Sequence, residues 1–295
     1  MFPTIWYRGH SRATLDGEEL DVGHRKQNLP RAFGAPPQMH SSEQRSASRG
    51  LTWARVAAGV LLMVVAIPLA HAVLDRTGSQ AAAESRVHGE VASLLAGIPQ
   101  HERTLGDPAA PVTLQVFIDL KDPDCRWWFL RYLPAIVHSQ VRTGRLKLEY
   151  HAYKTNTFRP QVFVKEQTAA LAAGAQNKLW NFVDTFYYEQ RSEFRSYVDN
   201  AYIANIARQV PGLNLARWHT DLSTGRREEQ TTAEDHTATT LGLYVTPSFR
   251  IGLTGGTVHN YSGVNVVKYP GQPHPIALPQ ASDISKTIEE LSRRL

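Results

Sequence analysis

The junction between Val112–Leu120 (VTLQVFIDL) and Lys121–Trp128 (KDPDCRWW) constrains this chain more than any other stretch. The first run is rich in β-branched and other apolar residues and suits a central strand. Asp122 or Asp124 can cap a helix that follows immediately, and Pro123 is tolerated in its first turn because its missing N–H is not needed there. A buried strand passing through a tight turn into a helix is therefore expected. Cys125, at the start of that helix, is the only cysteine in the 295 residues.

Around this junction the chain divides by composition. Residues 1–55 are polar, with Pro, Gly, Ser and His scattered through them and no sustained apolar periodicity, and are expected to form a disordered cytoplasmic tail. That tail has eight Lys/Arg against five Asp/Glu, so it carries +3 of the net charge of +5. The remainder is nearly neutral, and nothing points to nucleic acid, which would require basic residues clustered on a folded face. Val56–Leu74 (VAAGVLLMVVAIPLAHAVL) just reaches the length needed to span a bilayer. Arg45, Arg49 and Arg55 precede it, so residues 56–74 are expected to be a single-pass signal-anchor helix with the C-terminal domain extracytoplasmic. Ala70-His71-Ala72 also has the form of a cleavage site, and the alternative is a protein secreted after cleavage near Ala72. Residues 75–104 are expected to be a linker or stalk, with a helix over Ala81–Leu95 stopped by Gly97 and Pro99.

Beyond the first strand and helix, the helix is expected to run toward Thr143 with a kink near Pro134, and Leu146–Tyr153 alternates like a second strand. Segments Val164–Gln190, Tyr197–Val210 and Arg226–Leu241 have helical patterns. Ser248–Gly252 and Thr257–Ser262 can pair across Gly255-Gly256, and a last helix is expected with Asp283 as N-cap and Ile284, Ile288 and Leu291 facing inward.

The run Asp119…Asp122-Pro123-Asp124-Cys125-Arg126 resembles the active-site turn of DsbA-like thioredoxin-fold proteins, in which a strand ending in an acidic residue is followed by C-P-x-C-R. Pro123, Cys125 and Arg126 match without a gap, and Asp122 stands at the first cysteine position. The resemblance extends to Gly106–Pro111 (GDPAAP), Leu133-Pro134, Ala169–Gln190 and Leu241–Phe249 (LGLYVTPSF), the last resembling the segment that carries the cis-proline. It implies an α/β, thioredoxin-like fold with an inserted helical lobe over residues 105–295, preceded by a transmembrane or signal segment. It also implies a peptide groove formed by Pro123, Asp124, Thr246 and Pro247.

With one cysteine, an isolated chain cannot form an internal dithiol/disulfide couple. Cys125 stands where the family's resolving cysteine lies, and Asp122 and Asp124 would disfavour its thiolate. Two readings remain open. The first is a redox-inactive or single-thiol, peptide-binding or chaperone-like module; the second is a thiol-disulfide oxidoreductase or isomerase acting through Cys125 with a partner redox protein. Whether the chain is an enzyme is thus undecided by its sequence. The implied partners are exported proteins or peptides in extended conformation, the membrane, and a membrane redox partner. For Asp122 and Asp124 the plain alternative is helix capping and solubility; for Cys125 it is packing. The twelve histidines form no zinc-spaced cluster, so neither a metal nor another cofactor is expected.

Overall fold

Strand β3 (Val112–Ile118) is the centre of the molecule, and its burial explains its sequence. Six of its seven residues are buried, as suits a strand with neighbours on both edges whose alternate side chains belong to the main core. The computed structural model describes residues 82–83, 85–264, 266–268 and 275–293. The tail over residues 1–55 and the apolar segment 56–74 lie outside these, and among the described residues no helix is long and apolar enough to cross a membrane.

β4 (Leu146–Ala152) runs parallel to β3, pairing Val112 with Leu146 through to Ile118 with Ala152. Its side chains alternate between buried and half-buried, as expected of one covered and one less covered face. β5 (Ser248–Leu253) pairs antiparallel with the other edge of β3, and β6 (Val258–Tyr261) pairs with β5. The hairpin between β5 and β6 turns at Gly255, whose φ of +78° suits glycine, and a Cβ on Gly252 would come within 2.3 Å of the Thr257 carbonyl oxygen. Beyond β4 lie two short strands, β2 (Thr104–Leu105) and β1 (Gln100–His101), giving the order β1-β2-β4-β3-β5-β6. The strands β7 (Val266–Val267) and β8 (Ile276–Ala277) form a separate antiparallel pair.

The segment before Leu105 packs onto the folded unit through its helix. A helix, α1, covers residues 85–95 and ends before Gly97 at φ +71°. Its Val91 and Leu95, with Ile98 after it, are buried in the same core as β3. β1 and β2 went unforeseen because strands of two residues carry no periodicity.

α2 (Pro123–Arg131) breaks at Tyr132, where α3 (Leu133–Ile136) starts, followed by a π-helical turn over Val137–Val141. Pro134 has no N–H to return to the carbonyl four residues back, which accounts for the break. Between β4 and β5 the chain forms the helical lobe: α4 (Pro160–Gly174), α5 (Leu179–Glu189), α6 (Asn200–Gln209), α7 (Leu215–Ser223) and α8 (Arg226–Thr240). The expected helix over Val164–Gln190 is thus two helices, separated by a turn with Asn177 at φ +59°. α7 was not expected from the sequence. Its signals were Asn214, whose side chain accepts from the Arg217 N–H, and the apolar spacing Leu215, Trp218, Leu222. α9 (Ala281–Ser292) is capped by Gln280, and Asp283 is its third residue, closing a capping box rather than serving as N-cap. Ile284 and Ile288 are buried as expected.

The core is aromatic where α2 meets α5. Phe129 packs against Tyr187 and Trp180, with ring centroids 4.6 and 5.9 Å away, and Trp128 against Phe249 at 4.9 Å. The Trp128 indole N–H donates to the Pro279 carbonyl at 3.0 Å, tying α2 to the segment before α9. Trp180, Phe182, Phe186 and Tyr187 are all buried, so these aromatic residues are core.

Candidate functional site

At the end of β3, Asp119 is fully buried and organises everything around it. One carboxylate oxygen accepts from the Thr155, Asn156 and Thr157 N–H groups at 3.0, 2.7 and 2.8 Å. The other accepts from the Lys121 N–H at 3.1 Å and the Thr157 hydroxyl at 2.5 Å. A single side chain thus holds the loop after β4 beside the turn that starts α2. The helical lobe holds that turn from the other side: Gln190 donates to the Leu120 and Asp122 carbonyls at 2.8 and 3.1 Å, and Arg126 donates back to the Tyr187 carbonyl at 2.8 Å.

Asp122 caps α2 through one oxygen, which accepts from the Asp124 N–H at 2.9 Å. Its other oxygen accepts from the Cys125 thiol at 3.4 Å and meets the Thr246 hydroxyl at 2.5 Å. Thr246 in turn bonds the Thr155 hydroxyl. The capping expected of Asp122 is present, but a role in solubility is not, because the residue is only 4 % exposed. Burial drives its carboxyl up to about 8, opposed by the Thr246 hydrogen bond and reinforced by the charge of Asp124. At neutral pH Asp122 is therefore mostly a neutral acid, able to donate as well as accept.

Cys125 is fully buried. Burial first, and the neighbouring Asp122 second, push its thiol well above the ordinary value. Both effects disfavour the thiolate, which is the nucleophilic form, despite the helix N-terminus. Pro123 and Asp124 are half-buried at the mouth of the turn.

The peptide bond between Thr246 and Pro247 is cis. The Thr246–Asp122 contact brings this segment against the start of α2 across 124 positions of sequence. The sequence-derived residues Asp122, Pro123, Asp124 and Thr246 line one cavity of about 390 Å3. Pro247 is buried behind it and Cys125 is not among its lining. Thr155, Asn156, Glu193, Tyr244, Val245 and Ile276 complete the walls. These six were missed. Tyr244 and Val245 had a readable signal, two large apolar residues directly before the Thr-Pro pair; the others come from segments whose approach no local pattern encodes.

The rim is apolar and open. Tyr244 is 86 % exposed and Val245 64 %. A neighbouring cavity of about 100 Å3 shares Glu193 and is bordered by Phe158 and Phe194, two outward-facing rings stacked 6.5 Å apart. The aromatic surface near the groove comes from these residues, whereas Trp128 and Phe129 of α2 are buried as helix packing. Lys121 is not part of the groove: its ammonium donates to the Glu193 and Arg195 carbonyls at 2.7 and 3.2 Å. Among the described residues no three His, Cys, Asp or Glu side chains gather as metal ligands. The arrangement offers hydrogen-bonding groups, a neutral acid and exposed apolar surface beside a sequestered thiol.

Comparison with known proteins agrees with this architecture. A family model described as thioredoxin matches residues 99–261, more than half of the chain. A probable disulfide bond formation protein D from Bacillus anthracis is 24% identical over 155 residues, covering 50% of this chain and 68% of that protein. Among solved structures, oxidised BdbD from Bacillus subtilis superposes with a TM-score of 0.51 at 16% identity, over 66% of this chain and 97% of its own. DsbA from Chlamydia trachomatis gives 0.50 at 16% identity, over 65% and 92%. At such identities the structural likeness speaks for the fold.

Proposed function

The chain belongs to the thioredoxin family, and from that premise we propose that it is a DsbA-like, peptide-binding, chaperone-like member without dithiol chemistry of its own. The observation that carries this is the cavity beside Asp122 and Thr246, with exposed Tyr244 and Val245 at its rim and the chain's only thiol sealed behind it. No hydrogen bond among the described residues uses the backbone N–H or carbonyl of Thr246, which leaves both for an extended segment docking as an added strand. The second reading, thiol exchange through Cys125 with a partner redox protein, has the names of the relatives in its favour and the burial of Cys125 against it.

We further propose that the domain works outside the cytoplasmic membrane on exported proteins. The apolar segment 56–74 and the arginines preceding it support an anchor; cleavage near Ala72 would release the same domain. A reporter fused after Leu295 that worked only in the cytoplasm would count against export.

The functional test uses the full chain in detergent with an unfolded, apolar-rich peptide carrying two thiols. The expected result is binding without oxidation of the thiols, weakened about fivefold by Tyr244→Ser. Repeated turnover of the dithiol with no added redox protein would overturn the proposal. Asp122→Cys should restore chemistry, because the side chains at 122 and 125 already meet across the first turn of α2, with Oδ2 and Sγ 3.4 Å apart. Treated with diamide, which takes up the two electrons and two protons, that variant should close a 122–125 disulfide and, once the diamide is removed, oxidise one peptide dithiol per chain while being reduced back to two thiols.

A further inference from the structure

We propose that the helical lobe carries a second binding site, a cavity for a small amphiphile made of an apolar ring or chain and a single carboxylate, with Lys165 holding the carboxylate. The cavity shares no lining residue with the groove at Thr246, and the proposal does not depend on the peptide-binding reading.

This cavity of about 530 Å3 lies among α4, α6, α7 and the first turn of α8, and is larger than the groove. Its volume falls within the ~300–1,000 Å3 of small-molecule sites, which are mostly apolar with a few polar groups that orient the ligand. The walls follow that pattern. Val164, Ala169, Ile203, Ala204, Trp218 and Leu222 supply the apolar surface. Trp218 fixes the shape, because its indole N–H donates to the Ala169 carbonyl at 3.0 Å and so ties α7 to α4. His219, exposed beside it, sets its ring edge-on to the Trp218 indole at 4.9 Å. Ala169 and Ala204 end in methyl groups, which leaves room that larger side chains would take.

The polar groups select the head of the ligand. Lys165 is the one lysine or arginine among the described residues of these walls, and Glu228 the one carboxylate. Lys165 is half-buried, and among the described residues its ammonium makes no ion pair or hydrogen bond. A partly desolvated ammonium beside apolar surface gains from an anion that brings its own apolar body, because the pair then forms away from bulk water. Glu228 is exposed, so solvent screens much of its charge, yet it sets a limit. One ammonium opposed by one carboxylate favours a head with a single negative charge over a dianion such as a phosphate monoester, whose second charge has no partner. An amine of the same shape meets only the exposed Glu228, where an ion pair contributes little.

Three probes with one body and different heads, phenylbutyrate, phenylbutanamide and phenylbutylamine, test this when titrated calorimetrically into the full chain in detergent. The butyrate should bind about fivefold more tightly than the amide, and the amine no better than the amide. Lys165→Met, which keeps the apolar stem, should bring the butyrate-to-amide ratio to about one while the amide still binds. Ala204→Phe should remove binding of all three by filling the cavity, with urea unfolding as the check on the fold; Ala204→Leu, a smaller intrusion, replaces it if the midpoint falls. Equal binding of the three probes, a preference for the amine, or a butyrate preference unchanged by Lys165→Met would overturn the assignment of a carboxylate. No butyrate binding, or binding that the filled variant retains in full, would overturn the site itself. Both variants should capture the unfolded two-thiol peptide as the unaltered chain does, so failure here leaves the peptide-binding reading standing. Capture lost in either variant would make the cavity part of the peptide site and overturn its assignment to a small amphiphile.

Discussion

Cys125 combines the chemistry of a thiol with the surroundings of a core residue. It sits in the first turn of α2, where the helix end would ordinarily favour a thiolate, yet it is fully buried and donates to Asp122. Burial outweighs the helix end, and the thiol is held protonated. In the folded chain Cys125 should therefore resist iodoacetamide at pH 8 for hours, and react fully once the chain is unfolded in guanidinium. Rapid labelling of the native protein, followed by mass spectrometry, would restore the single-thiol reading. Asp122 shows how a residue can be legible in type and not in state. Its capping geometry follows from the Asp-Pro pair in the sequence, whereas its neutrality depends on burial, which distant segments such as the one carrying Thr246 bring about even though the Thr246 hydrogen bond itself favours the charged form.

At the scale of elements, the loop at 155–157 exists as a groove wall because β3 ends in Asp119. Five donors converge on that carboxylate, three of them consecutive backbone N–H groups of the loop. Asp119→Asn keeps one acceptor oxygen and turns an NH2 toward at least one backbone N–H, which can only donate. The expected cost is about 3 kcal/mol of stability, read from urea unfolding, with peptide capture weakened because Thr155 and Asn156 line the groove. An unchanged unfolding midpoint would show that the loop does not depend on Asp119. The elements themselves were legible wherever neighbours in sequence decide them. β3, the cap of α2 and the β5–β6 hairpin follow from β-branched runs, an Asp-Pro pair and a Gly-Gly turn. α7 was hidden because its spacing is short, and its anchor is remote: the buried Trp218 indole donates to the Ala169 carbonyl on α4 at 3.0 Å.

For the molecule as a whole, buried ionisable groups set how stability responds to pH. Asp122 is raised to about 8 and Glu166 well above its usual range, in both cases chiefly by burial, and Asp184 to about 7 by burial and then by Glu90. A carboxyl raised on folding contributes fully below its unfolded value, near 4, and that contribution is lost as pH rises through the folded value. His151 has the opposite tendency. Burial, then Arg103 and Arg250, lower it to about 3, so its contribution is lost as pH falls below about 6.5. Between about pH 6.5 and 8 the histidine is neutral in the folded chain and loses its remaining charge in the unfolded one, a small opposing effect, so the carboxyls dominate. Stability should fall by about 2–4 kcal/mol across that window, and Asp122→Asn should remove roughly half of the slope. A flat profile from urea titrations would mean that these carboxyls ionise as they do in the unfolded chain. The sequence by itself determined the strand-turn-helix junction, the lone thiol and the absence of an internal dithiol couple, because these depend on residue identity and on neighbours a few positions away. Only the tertiary structure decided that the thiol is sealed, that Asp122 is a neutral acid and that Tyr244 and Val245 border an open groove. Those properties come from desolvation and from contacts between segments up to 124 residues apart, which no local pattern records.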